Sequence, residues 1–185
     1  MDGSLRWDQR HDKGFYSYLQ SDKFKCVYQY ASKRILEHRA ESTLDVGCWT
    51  GMLAEALLES GFSGDYLGVD ISGKALHEAS QTYRSHPRFK FLQHDFNGPP
   101  PRGRHDAMYF GGVFYYIEDK ASFLNKFIEN NDPSVIVIQD LTSTDLGFLA
   151  KLKCIKRDVK YFQIALNVGG SESRNERQIH TIRLK

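Results

Sequence analysis

No stretch of this 185-residue chain holds the ~18 consecutive apolar residues that a bilayer span requires, and its opening, MDGSLRWDQRHDKGFYSYLQ, lacks the apolar block of a secretory signal. A membrane partner is therefore not expected, and a cytoplasmic location is. Cysteine is scarce: Cys26, Cys48 and Cys154 are odd in number and far apart, which fits neither a disulfide framework nor a zinc site built from short-range ligand pairs. No metal is expected. Charge of one sign is missing as well, since 25 Lys and Arg stand against 23 Asp and Glu, and the resulting +2 falls short of the basic footprint of a dedicated nucleic-acid binder. Hydrophobic residues make up 41% of the chain, enough for one sizeable core, so one domain is expected at this length.

Beyond an N-terminal segment of about twenty irregular residues, strand-like and helix-like patterns alternate. Phe24, Val27, Tyr30, Ala31, Ile35 and Leu36 recur at helical spacing and predict an amphipathic helix over 23–39. Short runs rich in β-branched or aromatic residues at 43–46, 66–70, 89–94, 107–110 and 135–140 read as buried strands. Helices are expected between them at 51–60, 73–85 and 120–129, followed by another at 146–156, with Gly61 as a stop and Ser72 as a start. This order implies a parallel sheet covered on both faces. The chain ends differently, with strand-like runs at 160–168 and 177–185 joined by the polar stretch GGSESRNE, which predicts a hairpin with a long loop.

The stretch TLDVGCWTGMLAEALLESG carries the chemistry. A strand reaches Asp45, turns through Gly47 and Gly51, and becomes helical, which is where open α/β sheets hold their ligands. The spacing D-x-G-x-x-x-G lacks the third glycine of a dinucleotide fingerprint, and no Gly-Lys-Ser/Thr follows, so a P-loop is excluded. Asp45 would repel a pyrophosphate at this helix start but attract an ammonium or sulfonium group.

LDVGCWTG resembles motif I of the class I S-adenosylmethionine-dependent methyltransferases, and later motifs follow in that family's order. The resemblance covers about 23–185. It implies a Rossmann-like seven-stranded, mostly parallel sheet with helices on both faces and an antiparallel last strand, S-adenosylmethionine as cofactor and S-adenosylhomocysteine as product. On this likeness Asp45, Gly47, Cys48, Trp49 and Gly51 meet the methionine end; Asp70 in YLGVDIS takes the ribose diol with Ile71 packed on adenine; Asp95 and Phe96 in FLQHDF serve the adenine edge and face. Gly111 and Gly112 in DAMYFGGVFYYIED leave room where the family places the methionine part of the cofactor, which Gly111 is expected to meet, and the methyl acceptor. The segment 1–22 lies outside the shared part and in similar enzymes folds over the acceptor as a lid.

On the acceptor side, His11 and Tyr115 are the expected catalytic residues, with Asp140 as a third possibility and Trp7, Tyr16, Tyr18 and Tyr116 close by. His94 and His105, each beside a strand, read as structural. The Asn-Pro-Pro-Tyr motif of nucleic-acid amine methylation is absent, and Lys151, Lys153, Lys156, Arg157 and Lys160 form a modest basic stripe, so nucleic acid is disfavoured. The expected activity is methyl transfer to O or N of a small-molecule acceptor such as a metabolite, natural product or sugar-like compound. An RNA methyltransferase and an inactive cofactor-binding protein are the alternatives. Composition is silent on oligomeric state.

Overall fold

The computed structural model describes residues 3–96, 98–154, 156–168 and 171–184. Seven strands, β1 (Ser42–Val46), β2 (Asp65–Asp70), β3 (Phe89–Gln93), β4 (Ala107–Gly111), β5 (Val135–Leu141), β6 (Lys156–Val168) and β7 (Ser171–Arg183), form one sheet in the order β3-β2-β1-β4-β5-β7-β6. The first five are parallel, and β7 runs antiparallel between β5 and β6. Five α-helices accompany them: α1 (Gly3–Asp12), α2 (Asp22–Glu37), α3 (Met52–Glu59), α4 (Gly73–Thr82) and α5 (Lys120–Asn131).

The alternation of each strand sorts its side chains onto two cores. Tyr109, Val135, Val137 and Ile179 pack with Phe24, Val27, Ala31 and Ile35 of α2 and Leu53 and Leu57 of α3. Leu44, Val46, Met108, Phe110, Ile136 and Ile138 pack on the opposite face with Phe123, Leu124 and Phe127 of α5. Both faces of the central strands are thus buried, which is why those strands read as nearly continuous apolar runs. Local signals fix the helix ends: the Ser72 hydroxyl accepts from Ala75 N at 3.2 Å at the start of α4, and Asp119 Oδ1 accepts from Ser122 N at 3.0 Å at the start of α5.

Three expectations from sequence are corrected. The N-terminal segment is not irregular, because α1 and a 3₁₀ turn at Ser17–Gln20 precede α2. The helix expected at 146–156 is a short 3₁₀ segment, Gly147–Lys151, after which the chain extends into β6 to pair with β7 from Lys156 opposite Arg183. The long polar loop is mostly strand: Ser171 already pairs with Val168, and only Gly169 and Gly170 of the expected loop lie outside the described residues.

Because β1 is flanked by β2 on one side and β4 on the other, the strand order reverses there, and a crevice opens above the carboxyl ends of β1 and β4.

Candidate functional site

The turn after β1 is laced to β2. Gly47 N and Cys48 N both donate to Val69 O, at 2.8 and 3.1 Å, and Trp49 N donates to Asp70 Oδ2 at 2.9 Å. Gly47 has φ of +79°, and a Cβ there would lie 2.7 Å from Val113 Cγ2, so only glycine brings the turn this close to the loop after β4. Asp70 is held at both oxygens, Oδ1 accepting from Ser72 N at 2.9 Å, yet each oxygen keeps a lone pair. Burial raises its carboxyl above the ordinary value while these N–H groups oppose the rise.

Asp45 is buried, and Tyr66 donates its hydroxyl to Oδ2 at 2.5 Å while Oδ1 has no partner among the described residues. Burial pushes its carboxyl up to about 7. Cys48 is also buried, which drives its thiol well above its ordinary value and leaves it without nucleophilic character.

Asp45, Gly47, Cys48, Trp49, Asp70, Ile71, Asp95, Phe96, Gly111 and Tyr115, ten of the residues singled out from sequence, line one cavity. Gly51 stands behind it, its carbonyl accepting from the Tyr83 hydroxyl at 2.8 Å and its φ of +87° shaping the start of α3. His11 does not line it. The His11 ring lies 5.2 Å from that of Trp49, and its Nε2 meets Glu78 Oε2 of α4 at 2.9 Å. Asp140 is spent on holding loops, accepting from Phe114 N, Leu141 N and the Thr144 hydroxyl at 2.8 to 2.9 Å. His105 bonds Asn131 at 2.7 Å, and His94 packs beside Phe96.

A roof of aromatic rings crosses the cavity from α1. Trp7 stacks on Tyr16 at 6.0 Å and meets Tyr116 edge-on at 5.0 Å; Tyr16 in turn meets Trp49 edge-on at 5.1 Å. The hydroxyls of Tyr16 and Tyr116 lie 2.9 Å apart, Arg10 donates to Tyr16 at 2.9 Å, and Tyr115 donates to Tyr116 at 2.7 Å. Burial raises the hydroxyls of Tyr16 and Tyr115 far above the ordinary tyrosine range, so both stay neutral near pH 7.

The roof is pinned to α4, where Asp8 Oδ1 accepts from the Ser72 hydroxyl at 2.7 Å and Lys74 N at 3.1 Å. Asp8 thus supplies, from another helix, the carboxylate a helix start favours. Asp8→Ala is expected to cost about 1 kcal/mol, and the loss should appear first as faster amide exchange in α1, with the melting temperature moving little.

Two buried donors complete the far side. Gln139 and Arg177, 3% and 4% exposed, line the cavity, and Gln139 Nε2 and Arg177 Nε have no partner among the described residues. The Arg177 guanidinium lies 5.1 Å over the ring of Phe24 and donates to the Tyr18 hydroxyl at 3.4 Å. Sequence reasoning missed both, although the signal was present: Arg177 is in phase with the buried Ile179, and Gln139 with Val135 and Val137. Tyr28 and Tyr109, also missed, stand in the same wall.

A family described as a methyltransferase domain matches residues 43–132, the span that contains β1 to β4, the glycine turn and all three strand-end acids. That stretch, a little under half of the chain, is thus similar to a methyltransferase domain. A curated protein similar to it, malonyl-[acyl-carrier protein] O-methyltransferase 2 of Ilyobacter polytropus, is 22% identical over 122 residues, which are 65% of this chain and 47% of that protein. The chain thus spans about half the length of the curated relative it matches. Among solved structures, the CurJ carbon methyltransferase superposes with a TM-score of 0.67 at 14% identity, covering 90% of this chain and 56% of that one. A putative RNA methyltransferase from Pyrococcus horikoshii superposes with a TM-score of 0.63 at 17% identity, covering 84% and 81%. These two likenesses establish the methyltransferase fold. β5, β7, Gln139 and Arg177 lie outside the matched span, so the far wall of the cavity belongs to the part that the family description does not cover.

Proposed function

We propose that this methyltransferase domain binds S-adenosylmethionine in the cavity above β1, β2 and β4 and transfers its methyl group to an oxygen or nitrogen of a small-molecule acceptor. One observation carries the reading: the acids at three successive strand ends, Asp45, Asp70 and Asp95, line a single cavity, and the deepest of them has a buried carboxylate oxygen without a partner. Asp45 Oδ1 fits the cofactor's ammonium, Asp70 fits its ribose diol through the two remaining lone pairs, and Ile71 and Phe96 offer apolar surface for adenine. The cofactor supplies an electrophilic methyl carbon on a sulfonium. The protein's contribution is placement and exclusion of water, and orientation alone is worth on the order of 7 to 11 kcal/mol in well-aligned systems.

Closure of the cavity by Trp7, Tyr16 and Tyr116 supports a small acceptor. The basic stripe supports no polymer there, since Lys156 and Arg157 pair with Arg183 and Ile182, which face the start of β5 at the edge of the sheet opposite the cavity. The curated relative's name describes oxygen methylation, which favours oxygen here too. Tyr115 fits a role in contact with the acceptor, whereas His11 serves as a fastener between Trp49 and Glu78.

Calorimetric titration with S-adenosylmethionine, S-adenosylhomocysteine and NADH tests the cofactor. The first two should bind in the micromolar range and NADH should not. Asp70→Ala, which strips the acceptor from Trp49 N, Ser72 N and the diol, should weaken binding by roughly 10- to 30-fold. Binding of NADH alone would overturn the reading.

A further inference from the structure

We propose that the acceptor is an organic acid, whose carboxylate is drawn to Arg177 and Gln139 and is itself methylated to a methyl ester. This rests on the methyltransferase reading above and narrows its substrate. Arg177 is 4% exposed and makes no ion pair among the described residues, although a buried guanidinium without a carboxylate is costly. Its Nε and the Nε2 of the equally buried Gln139 are two donors without acceptors in the wall of one cavity. A ligand that satisfies both must bring lone pairs, and a carboxylate answers a guanidinium best.

The cofactor's own α-carboxylate is the competing source. Asp45 is on β1 and Arg177 on β7, three places away in the sheet, about 14 Å between strand axes. With its ammonium at Asp45, the cofactor would bring its carboxylate nearer to β4 than to β7, which leaves Arg177 to the acceptor, with Gln139 on β5 between the two.

The cavity also lacks a base. Among the described residues no histidine, lysine or glutamate lines it, and its three acids are engaged elsewhere: Asp45 is tied to Tyr66, Asp70 is held by two backbone N–H groups, and Asp95 stands beside Phe96 at the end proposed for adenine. The hydroxyls of buried Tyr16 and of Tyr115 are pushed up by desolvation and remain protonated. An alcohol or an ammonium would have to lose a proton that nothing here takes. A carboxylate arrives already ionised, its ordinary pKa being about 4. Its oxygen forms the new bond to the methyl carbon, the C–S bond breaks with its electron pair left on sulfur, and no proton moves. An anion and a cation become two neutral products, a change that a dry, low-dielectric cavity favours. The ester no longer pairs with Arg177, which promotes its release.

The test uses the whole chain with S-adenosylmethionine labelled on the methyl group and a panel of small aryl and aliphatic acids, each beside its amide. Acids should yield alkali-labile, volatile label and the amides none. With S-adenosylhomocysteine bound, the best acid should bind about 10- to 100-fold more weakly to Arg177→Gln than to the wild type. Arg177→Lys, which keeps the charge, should recover part of that loss, and circular dichroism of both variants establishes that they are folded. The affinities of S-adenosylmethionine and of its decarboxylated analogue should each change less than about threefold in Arg177→Gln, an effect below 1 kcal/mol. If Arg177→Gln weakens S-adenosylmethionine but not the decarboxylated analogue, Arg177 serves the cofactor and the proposal falls. It falls equally if the protein binds cofactor yet esterifies no acid of the panel. Failure of the wild type to bind cofactor would instead sink the methyltransferase reading itself.

Discussion

S-adenosylmethionine should bind this protein about tenfold more tightly for each pH unit between pH 5 and pH 7, and the gain should level off above pH 7. The cause is Asp45. Burial holds its carboxyl at about 7 in the free protein, so below that pH it carries a proton which a bound ammonium must displace. Each binding event then releases one proton, which sets the slope. Affinity should fall again above pH 8 as the cofactor's own amine, with an ordinary pKa of about 8, loses its charge. Stability follows the opposite course. The unfolded chain ionises this carboxyl near its ordinary 3.8, so the folded state holds the extra proton between that value and about 7. The group's contribution is therefore full below pH 4 and declines as pH rises towards 7, by on the order of 3 to 4 kcal/mol. Asp45→Asn should abolish the pH slope of binding, weaken the cofactor by about 10- to 100-fold at pH 7.5, and raise the melting temperature of the free protein at that pH. Calorimetry in two buffers of different ionisation enthalpy counts the proton directly. An affinity flat from pH 5 to 7 would remove the ammonium from Asp45.

That carboxylate was legible in the sequence for a local reason. β1, its turn and the start of α3 are adjacent in the chain, and Asp45, Gly47 and Gly51 keep their meaning whatever the rest of the fold does. Asp70 and Asp95 were legible because they close short strands whose ends a parallel sheet must bring to one edge. What failed depended on partners distant in sequence. Residues 146–156 have a helical pattern, yet from Lys156 onward the chain's partner is β7, and pairing overrides a weak local preference. The polar stretch SESRNE looks like loop because nothing in its composition reveals that it pairs with β6. His11 shows the same limit at the level of a side chain. Its chemistry suits catalysis, but α1 lies across α4 and directs the imidazole to Glu78, away from the cavity. Arg177 and Gln139 occupy strand positions whose phase marks them as inward, and an inward arginine is the kind of local conflict that natural folds tolerate where a ligand resolves it.

Tyr16→Ala is expected to speed the release of S-adenosylhomocysteine at least 100-fold while leaving the melting temperature within about 3 °C of the wild type. Tyr16 is the common neighbour of the roof: it stacks on Trp7, meets Trp49 and Phe15 edge-on, and bonds both Arg10 and Tyr116. Truncating an aromatic ring in a core costs about 3 to 5 kcal/mol. Here the loss is confined, because the strands and the helices α2, α3 and α5 are packed through cores in which Trp7 and Tyr16 take no part. The variant should respond by detaching α1 and its 3₁₀ turn, a local opening that removes the roof without unfolding the sheet. Release is measurable without any acceptor, since both tryptophans of the chain, Trp7 and Trp49, line the cavity and their fluorescence reports its contents in a stopped-flow displacement. Tyr16→Phe keeps the rings in contact and forfeits only the two hydroxyl bonds, so its release should quicken by at most about 30-fold, in line with roughly 1 kcal/mol per bond. Hydrogen exchange over residues 4–20 should rise strongly in Tyr16→Ala and to a smaller extent in Tyr16→Phe. A drop in melting temperature of 10 °C or more with an unchanged release rate would show that Tyr16 supports the core and that the passage to the cavity lies elsewhere. The opposite pattern places the gate at α1, and Asp8, whose carboxylate ties that helix to the start of α4 through the Ser72 hydroxyl and Lys74 N beside the Asp12–Lys74 ion pair, becomes a residue that sets how often it opens.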